Sequence, residues 1–155
     1  MGIRISKEEY YLNIAKDVAK RGTCIRRNYG AVIVKDNRIV STGYTGSPKG
    51  CPNCCDVGKC ERERLNIPSG QRYELCKSVH AEQNAIIKAS AEELDGAVLV
   101  LCGIDSRTGE VLNKSFPCDL CQRMIINAGI STIVYYENGK VNHTYVHELV
   151  KLQSK

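Results

Sequence analysis

The stretch His80-Ala81-Glu82, followed further along by Pro117-Cys118-Asp119-Leu120-Cys121, determines how the rest of this chain is interpreted. His80, Cys118 and Cys121 offer three nitrogen and sulfur ligands, one fewer than the four of a closed structural zinc site. A zinc ion with three protein ligands keeps one position for water, which is typical of a catalytic centre. Glu82 follows His80 by two residues, so its carboxylate can stand beside that water and carry a proton.

The pattern H-x-E followed by P-C-x-x-C is the zinc signature of nucleobase deaminases. On these residues the chain resembles the cytidine and deoxycytidylate deaminase superfamily, and the resemblance covers about residues 8–137. Short cytidine deaminases are less similar, because their first zinc ligand is usually Cys where this chain has His80. The segments that resemble the deoxycytidylate deaminase branch are Thr23-Cys-Ile-Arg-Arg27, Gly30-Ala-Val-Ile-Val-Lys-Asp-Asn37, Ser41-Thr-Gly-Tyr44, His80-Ala-Glu-Gln-Asn-Ala-Ile-Ile87 and Ile125-Ile-Asn-Ala-Gly-Ile130.

The resemblance implies a zinc-dependent hydrolase that converts dCMP to dUMP and releases ammonia, with Glu82 as the catalytic residue. It implies a small-molecule nucleotide substrate and a homo-oligomer, commonly a hexamer. Asn84, Tyr44 and Thr45 are expected near the substrate, although the family usually has Asn where this chain has Thr45. Candidate contacts for a 5′-phosphate are Arg26, Arg27, Lys49 and Arg72, because guanidinium and ammonium groups form charge-assisted hydrogen bonds with phosphate.

Five of the nine cysteines lie in a cysteine-rich insert at about residues 51–79. Some deoxycytidylate deaminases carry an extra structural zinc on cysteines that match Cys24 and Cys54. The histidines that complete that site have no counterpart here, so Cys60 and Cys76 are the substitutes. A second structural zinc on these four sulfurs and a set of free thiols are the two alternatives.

The sequence is consistent with three hypotheses about the function. The first is dCMP deamination in pyrimidine deoxynucleotide metabolism, or deamination of another nucleotide or nucleobase. The second is a tRNA adenosine deaminase, but the net charge of +5 is scattered and no basic and aromatic run is present, so no stable nucleic acid complex is expected. The third is a zinc-binding module without chemistry, in which another cysteine closes the metal site.

The 155 residues are expected to form a single domain over 1–155. No apolar run reaches the roughly 18 residues of a membrane span, and the first residues lack a secretory apolar core, so no membrane association is expected. An odd number of cysteines in such a chain favours free thiols and metal ligands. These features predict a cytoplasmic protein.

The alternation of strands and helices predicts a three-layer α/β/α domain, and the resemblance implies a cytidine deaminase-like fold with a central mixed sheet. Ser6 and Glu9 form a capping-box pattern at the first helix. His80 and the zinc cysteines are predicted in the first turns of two helices, whose dipoles favour thiolates. The predicted elements are a helix to about residue 21, a hairpin over 30–43, a helix over 78–91, a strand over 97–102, a loop or hairpin excursion over about 103–116, a helix over 118–128, a strand over 130–136 and a short helix over 146–152.

Overall fold

The computed structural model describes residues 2–155, and Met1, which the predicted domain 1–155 includes, lies outside the described residues. The extent of that domain stays a prediction. No helix among the described residues has the length and apolar composition that a membrane crossing requires. In chain order the elements are α1 (Lys7–Ala19), β1 (Arg27–Lys35), β2 (Arg38–Tyr44), α2 (Cys54–Val57), α3 (Glu61–Arg64), a 3₁₀ turn (Tyr73–Leu75), α4 (Ala81–Ile87), α5 (Ala91–Leu94), β3 (Val98–Asp105), α6 (Asp119–Ala128), β4 (Thr132–Glu137), β5 (Lys140–Tyr145) and α7 (Val146–Gln153).

The strands form one mixed sheet in the order β2-β1-β3-β4-β5. β1 pairs antiparallel with both β2 and β3, β3 and β4 are parallel, and β5 is antiparallel to β4. The connection between the two parallel strands contains α6, as expected because parallel neighbours need a long crossover. The predicted mixed sheet is confirmed.

Helices cover both faces of the sheet, because successive residues of a strand point to opposite sides. On one face, α1 packs against Val32, Val100 and Val134. On the other face, α4, α6 and α7 share a cluster with the buried Ile33 and Leu99. The three-layer α/β/α arrangement is therefore confirmed, and the two apolar clusters lie on either side of β1, β3 and β4.

The first helix begins where its sequence predicts. Ser6 precedes α1, and its hydroxyl accepts a hydrogen bond from the backbone N–H of Glu9 at 3.0 Å, which satisfies one of the unpaired N–H groups at a helix start. The helix ends at Ala19, two residues before the predicted end at Arg21.

The predicted hairpin between β1 and β2 is confirmed. Lys35 pairs with Arg38, so the connection is the two-residue turn Asp36-Asn37. Both turn residues have positive φ, of 50° and 62°, which Asp and Asn tolerate and which the tightest hairpin turns require.

The predicted helix over 78–91 is wrong in its length. α4 ends at Ile87, and Ser90 starts the separate helix α5. The Ser90 hydroxyl accepts a hydrogen bond from the Glu93 N–H at 3.1 Å, and the Glu93 carboxylate accepts one from the Ser90 N–H at 2.9 Å. This reciprocal cap ends the first helix by stabilising the start of the next.

The excursion predicted over 103–116 begins as strand. β3 continues to Asp105, because its last residues keep pairing with β1 as far as Arg27. Ile104 then forms an isolated bridge with Val111. The segment therefore starts as a narrow hairpin, and the remainder leads to α6.

The last strand, β5, is absent from the sequence prediction. It follows β4 through the turn Asn138-Gly139, where both φ angles are positive at 53° and 74°. β5 is polar and lies at the sheet edge, so its sequence lacks the apolar alternation by which strands are recognised. The pair Asn138-Gly139, which is typical of a hairpin turn, was the sequence feature that indicated a strand here.

Candidate metal centre

Two helix starts bring the histidine and the two cysteines together. His80 is the N-cap of α4 and Cys118 is the N-cap of α6, so each lies one residue before its helix and not in the first turn as predicted. Cys121 lies in the first turn of α6, on the side of Cys118, because three residues make nearly one helical turn. The Gln83 side chain fixes the start of α4, since its Oε1 accepts a hydrogen bond from the His80 N–H at 2.9 Å.

The ligand atoms have the spacing that a zinc ion needs. The Nδ1 atom of His80 lies 3.5 Å from Cys118 Sγ and 3.3 Å from Cys121 Sγ, and all three ligand atoms lie within 4.8 Å of one another. Tetrahedral zinc with ordinary Zn–N and Zn–S bonds separates such atoms by about 3.6 Å. The three residues therefore fit zinc, and they form a candidate zinc site.

The pKa shifts of the Cys118 and Cys121 thiols also bear on whether this site can bind a cation. The hydrogen bond from Cys121, together with His80, lowers the pKa of the Cys118 thiol to about 4, against the opposing effect of burial. The same hydrogen bond and burial raise the pKa of the Cys121 thiol. These opposite shifts favour a thiolate at Cys118, and a zinc ion held here would be bound by both sulfurs as thiolates.

Glu82 is a buried carboxyl beside this centre. Its side chain is 4% exposed, and it lines the same cavity as His80 and Cys118. Burial raises the pKa of this carboxyl, while its own backbone N–H and His80 act in the opposite direction. A carboxyl whose pKa is shifted towards neutrality is suited to take up and release a proton.

A model of the cytidine and deoxycytidylate deaminase zinc-binding region matches residues 5–137. The chain belongs to the cytidine and deoxycytidylate deaminase family. The matched region of this family member contains Glu82 and the three candidate zinc ligands.

Relatives of this family member include phage and yeast proteins. The deoxycytidylate deaminase of Mycobacterium phage D29 is 38% identical over 134 residues, which are 83% of this chain and 92% of that protein. The deoxycytidylate deaminase of Schizosaccharomyces pombe is 32% identical over 142 residues, which are 91% of this chain, but this chain spans 40% of the length of the yeast protein. A crystal structure of dCMP deaminase from the cyanophage S-TIM5 in complex with dCMP and dUMP aligns with a TM-score of 0.60 and 27% identity, covering 85% of this chain and 82% of that one.

The predicted substrate contacts Asn84, Tyr44 and Thr45 and the predicted phosphate contact Arg26 fall into two groups in this deaminase-family chain. Arg26 and Thr45 line the cavity that holds Glu82. Tyr44 and Asn84 are not among the lining residues, and the Asn84 side-chain amide donates a hydrogen bond to the Tyr44 carbonyl at 2.8 Å. Asn84 therefore ties α4 to the end of β2, and the substrate roles of all four residues stay predictions.

The predicted phosphate contacts are similarly divided. Arg27 lines the cavity, as Arg26 does, whereas Lys49 and Arg72 do not. Arg26 is already paired, because its Nε lies 3.0 Å from the Glu63 carboxylate. Of these four cations, Arg27 is therefore the one that lines the cavity without a carboxylate partner in the described part of the chain.

Several residues of the cavity wall could not be predicted from the sequence. Arg62 and Tyr73 come from the cysteine-rich insert, and Tyr29 and Phe116 come from β1 and from the residue before Pro117. No motif or periodicity marks Arg62 or Tyr73, because the insert lacks long regular elements. The edge of the Tyr73 ring packs on the His80 ring, with centroids 5.3 Å apart and planes at 86°.

Of the four cysteines predicted to hold a second zinc, Cys24, Cys60 and Cys76 line the candidate active-site cavity. Burial and the neighbouring sulfurs of Cys24, Cys76 and Cys60 raise the pKa of the Cys54 thiol. Within residues 2–155, however, the metal centre described above is the one group of three or more ligand atoms that lie within 4.8 Å of one another. The second zinc stays a prediction.

Proposed function

We propose that the protein catalyses the hydrolytic deamination of dCMP to dUMP with release of ammonia, a step in pyrimidine deoxynucleotide metabolism. The observation that carries this proposal is a three-ligand metal centre with the buried carboxyl of Glu82 in the same cavity. The substrate is supported by the phage D29 relative, which is a deoxycytidylate deaminase, and by the S-TIM5 structure, which holds dCMP and dUMP.

The residues of the cavity account for the proton movements of this reaction. His80, Cys118 and Cys121 would hold a zinc ion, which when bound would supply the Lewis acidity that makes water a nucleophile near neutral pH. Glu82 takes one proton from the attacking water and delivers it to ring nitrogen N3 of the cytosine. The water oxygen forms a bond to C4, the bond from C4 to the amino nitrogen breaks, and the second proton leaves with ammonia. Both protons of the water are thereby used.

Aromatic side chains give the pyrimidine ring a surface on which to pack. Tyr73 and Phe116 line the cavity together with Glu82. Phe116 is held in place by an edge-on contact with Tyr135, with ring centroids 4.9 Å apart. Apolar walls with a few convergent polar groups are typical of small-molecule sites.

The test is ammonia release by zinc-loaded protein with dCMP, deoxycytidine, CMP, guanine and tRNA in parallel. Glu82→Gln is the active-site variant, and Glu92→Gln, an exposed acid on the neighbouring helix α5, is the matched control. We expect dCMP turnover that falls at least about 100-fold in Glu82→Gln, because general acid–base groups typically contribute this much. Zinc content should stay equal in both variants.

Other outcomes would redirect the proposal. Turnover of guanine or tRNA without dCMP would keep the hydrolytic chemistry and overturn the substrate. Full dCMP activity in Glu82→Gln would overturn the proton role of this carboxyl. No ammonia from any of the five substrates, with zinc bound, would favour a zinc-stabilised binding module.

We also infer a cytoplasmic homo-oligomer, a hexamer by family resemblance. Large apolar side chains on α4, α6 and α7 support an assembly, since Ile87 is 71%, Leu120 48% and Leu152 59% exposed. Light scattering should give six times the 17.2 kDa chain mass, and a monomer would contradict the assembly.

A further inference from the structure

Arg62 carries a buried positive charge that no carboxylate compensates. The residue is 7% exposed, and none of the ion pairs found in residues 2–155 includes it. Its Nε donates to the carbonyl of Gln71 at 3.0 Å and its Nη2 donates to the carbonyl of Pro68 at 3.2 Å. A buried charge is unfavourable unless an opposite charge and hydrogen bonds compensate it. Arg62 has two hydrogen bonds, but it has no negative partner.

The guanidinium still has donors for a ligand. A guanidinium group carries N–H donors at all three nitrogens, five in total, and the two carbonyl contacts use two of them. Arg62 also lines the cavity that contains His80 and Glu82. Arg62 is therefore a residue of the candidate active-site wall that has donors left for a ligand.

Aromatic contacts fix the position of this charge relative to the metal centre. The Cζ atom of Arg62 lies 4.7 Å from the ring centroid of Tyr73. Tyr73 in turn packs edge-on against His80, with centroids 5.3 Å apart. One aromatic ring thus separates the guanidinium from a metal ligand. In a nucleoside monophosphate, one sugar ring separates the phosphate from the base.

The other charges at the cavity favour Arg62 as the anion site. Arg26 is paired with Glu63, with 3.0 Å between Nε and Oε1. Arg27 is exposed, so water competes for its hydrogen bonds. Glu82 is the one carboxylate among the cavity-lining residues, and it is the proposed proton carrier.

We propose that Arg62 binds the 5′-phosphate of the substrate and selects nucleoside monophosphates over nucleosides, an inference that rests on the proposed deamination of dCMP. The phosphate supplies the missing negative charge and accepts hydrogen bonds from the guanidinium. A nucleoside leaves the charge of Arg62 uncompensated. Sites that hydrogen-bond a substrate group discriminate strongly against analogues that lack the group, for the same reason.

The test compares dCMP with deoxycytidine in zinc-loaded protein carrying Arg62→Gln or Arg62→Lys. Arg64→Gln is the matched control, because Arg64 lies in the same short helix, pairs with Glu61 and does not line the cavity. We expect Arg62→Gln to lower kcat/KM for dCMP at least about 100-fold, mainly through KM, and to change deoxycytidine turnover less than about 3-fold. Arg62→Lys should keep part of the preference, since an ammonium is a point charge without the paired donors.

A structural role for Arg62 gives a different result. If Arg62 only holds the carbonyls of Gln71 and Pro68, Arg62→Gln will lower turnover of both substrates by the same factor. An unchanged preference for dCMP in Arg62→Gln would also overturn the inference. Circular dichroism and zinc content report whether each variant is folded.

Product binding separates failure of this inference from failure of the proposed reaction. Calorimetry should show that the unaltered protein binds dUMP more tightly than deoxyuridine and that Arg62→Gln removes the difference. That result would support the phosphate site even if no ammonia were released from dCMP. Turnover of dCMP together with equal affinity for dUMP and deoxyuridine would overturn the phosphate site and keep the reaction.

Discussion

Glu82 and Arg62 are two buried charged residues on one cavity wall, and their environments differ. Burial raises the pKa of the Glu82 carboxyl, which prepares it to hold a proton that it later gives up. A guanidinium does not lose its proton in proteins, so Arg62 stays charged and needs an anion. The first residue is suited to move protons in the reaction, and the second is suited to hold a charged part of the substrate.

A second prediction for a single residue concerns Cys102, which is not a metal ligand. It is fully buried in the cluster between α1 and the sheet, and burial raises the pKa of its thiol to about 11. Since the thiolate is the reactive form, Cys102 should resist iodoacetamide at pH 8 in the folded protein. Cys51 and Cys55 are exposed and serve as internal controls. Peptide mass spectrometry measures each site, and alkylation of Cys102 as fast as Cys51 would contradict the packing of β3 against α1.

At the scale of elements, the metal centre depends on how closely α4 approaches β2. The Ser41 hydroxyl on β2 donates a hydrogen bond to the Ala85 carbonyl at 2.8 Å. Gly43, two residues on, lies against the backbone of the same helix, where a Cβ atom would come within 2.5 Å of the Ala81 carbonyl oxygen. A residue with a side chain does not fit there unless the helix moves. Glycine at this strand position therefore allows α4, which carries Glu82, to lie close to the sheet.

Gly43→Ala should displace α4 and weaken the centre that its first residues build. Overpacking of this kind typically lowers the free energy of unfolding by about 1–3 kcal/mol, or roughly 2–4 °C in Tm for each kcal/mol. Thermal denaturation and zinc content are the measurements. Gly46→Ala is the control, because a Cβ atom there meets its nearest neighbour at an ordinary 3.7 Å. Equal stability of the two variants would contradict the close approach.

For the whole molecule, the cysteine-rich insert connects the end of β2 to the start of α4 and supplies part of the cavity wall. Cys60 and Cys76 from this insert line the cavity, as does Cys24, which precedes β1. The sulfurs of all three contribute to raising the pKa of the Cys54 thiol. The insert contains two single-turn helices and a 3₁₀ turn, and such short pieces have little stability of their own. A structural metal would compensate for this, since bound zinc stabilises a fold that its ligands hold.

Zinc content tests this prediction. We expect two zinc ions per chain in the unaltered protein and one in Cys54→Ser, with the catalytic ion retained. Cys51→Ser changes an exposed cysteine outside the four-residue set and should keep both ions. One zinc ion per chain in the unaltered protein, measured by elemental analysis after purification without chelator, would establish Cys24, Cys54, Cys60 and Cys76 as free thiols.

The three-layer fold, the candidate zinc ligands and the place of Glu82 beside them could all be predicted from the amino-acid sequence. These features follow from local rules, because Cys-x-x-Cys and His-x-Glu spacings act within one helical turn and the alternation of strands with helices sets the layers. Three features emerge only from the folded chain: β5 joins the sheet edge, α4 stops at Ile87, and Tyr73 packs between Arg62 and the candidate metal ligand His80. Arg62 and His80 are separated by the irregular part of the insert, so no repeating pattern connects them. The series of contacts from Arg62 through Tyr73 to His80 depends on many weak packing interactions between distant segments, and these act only once the chain has folded.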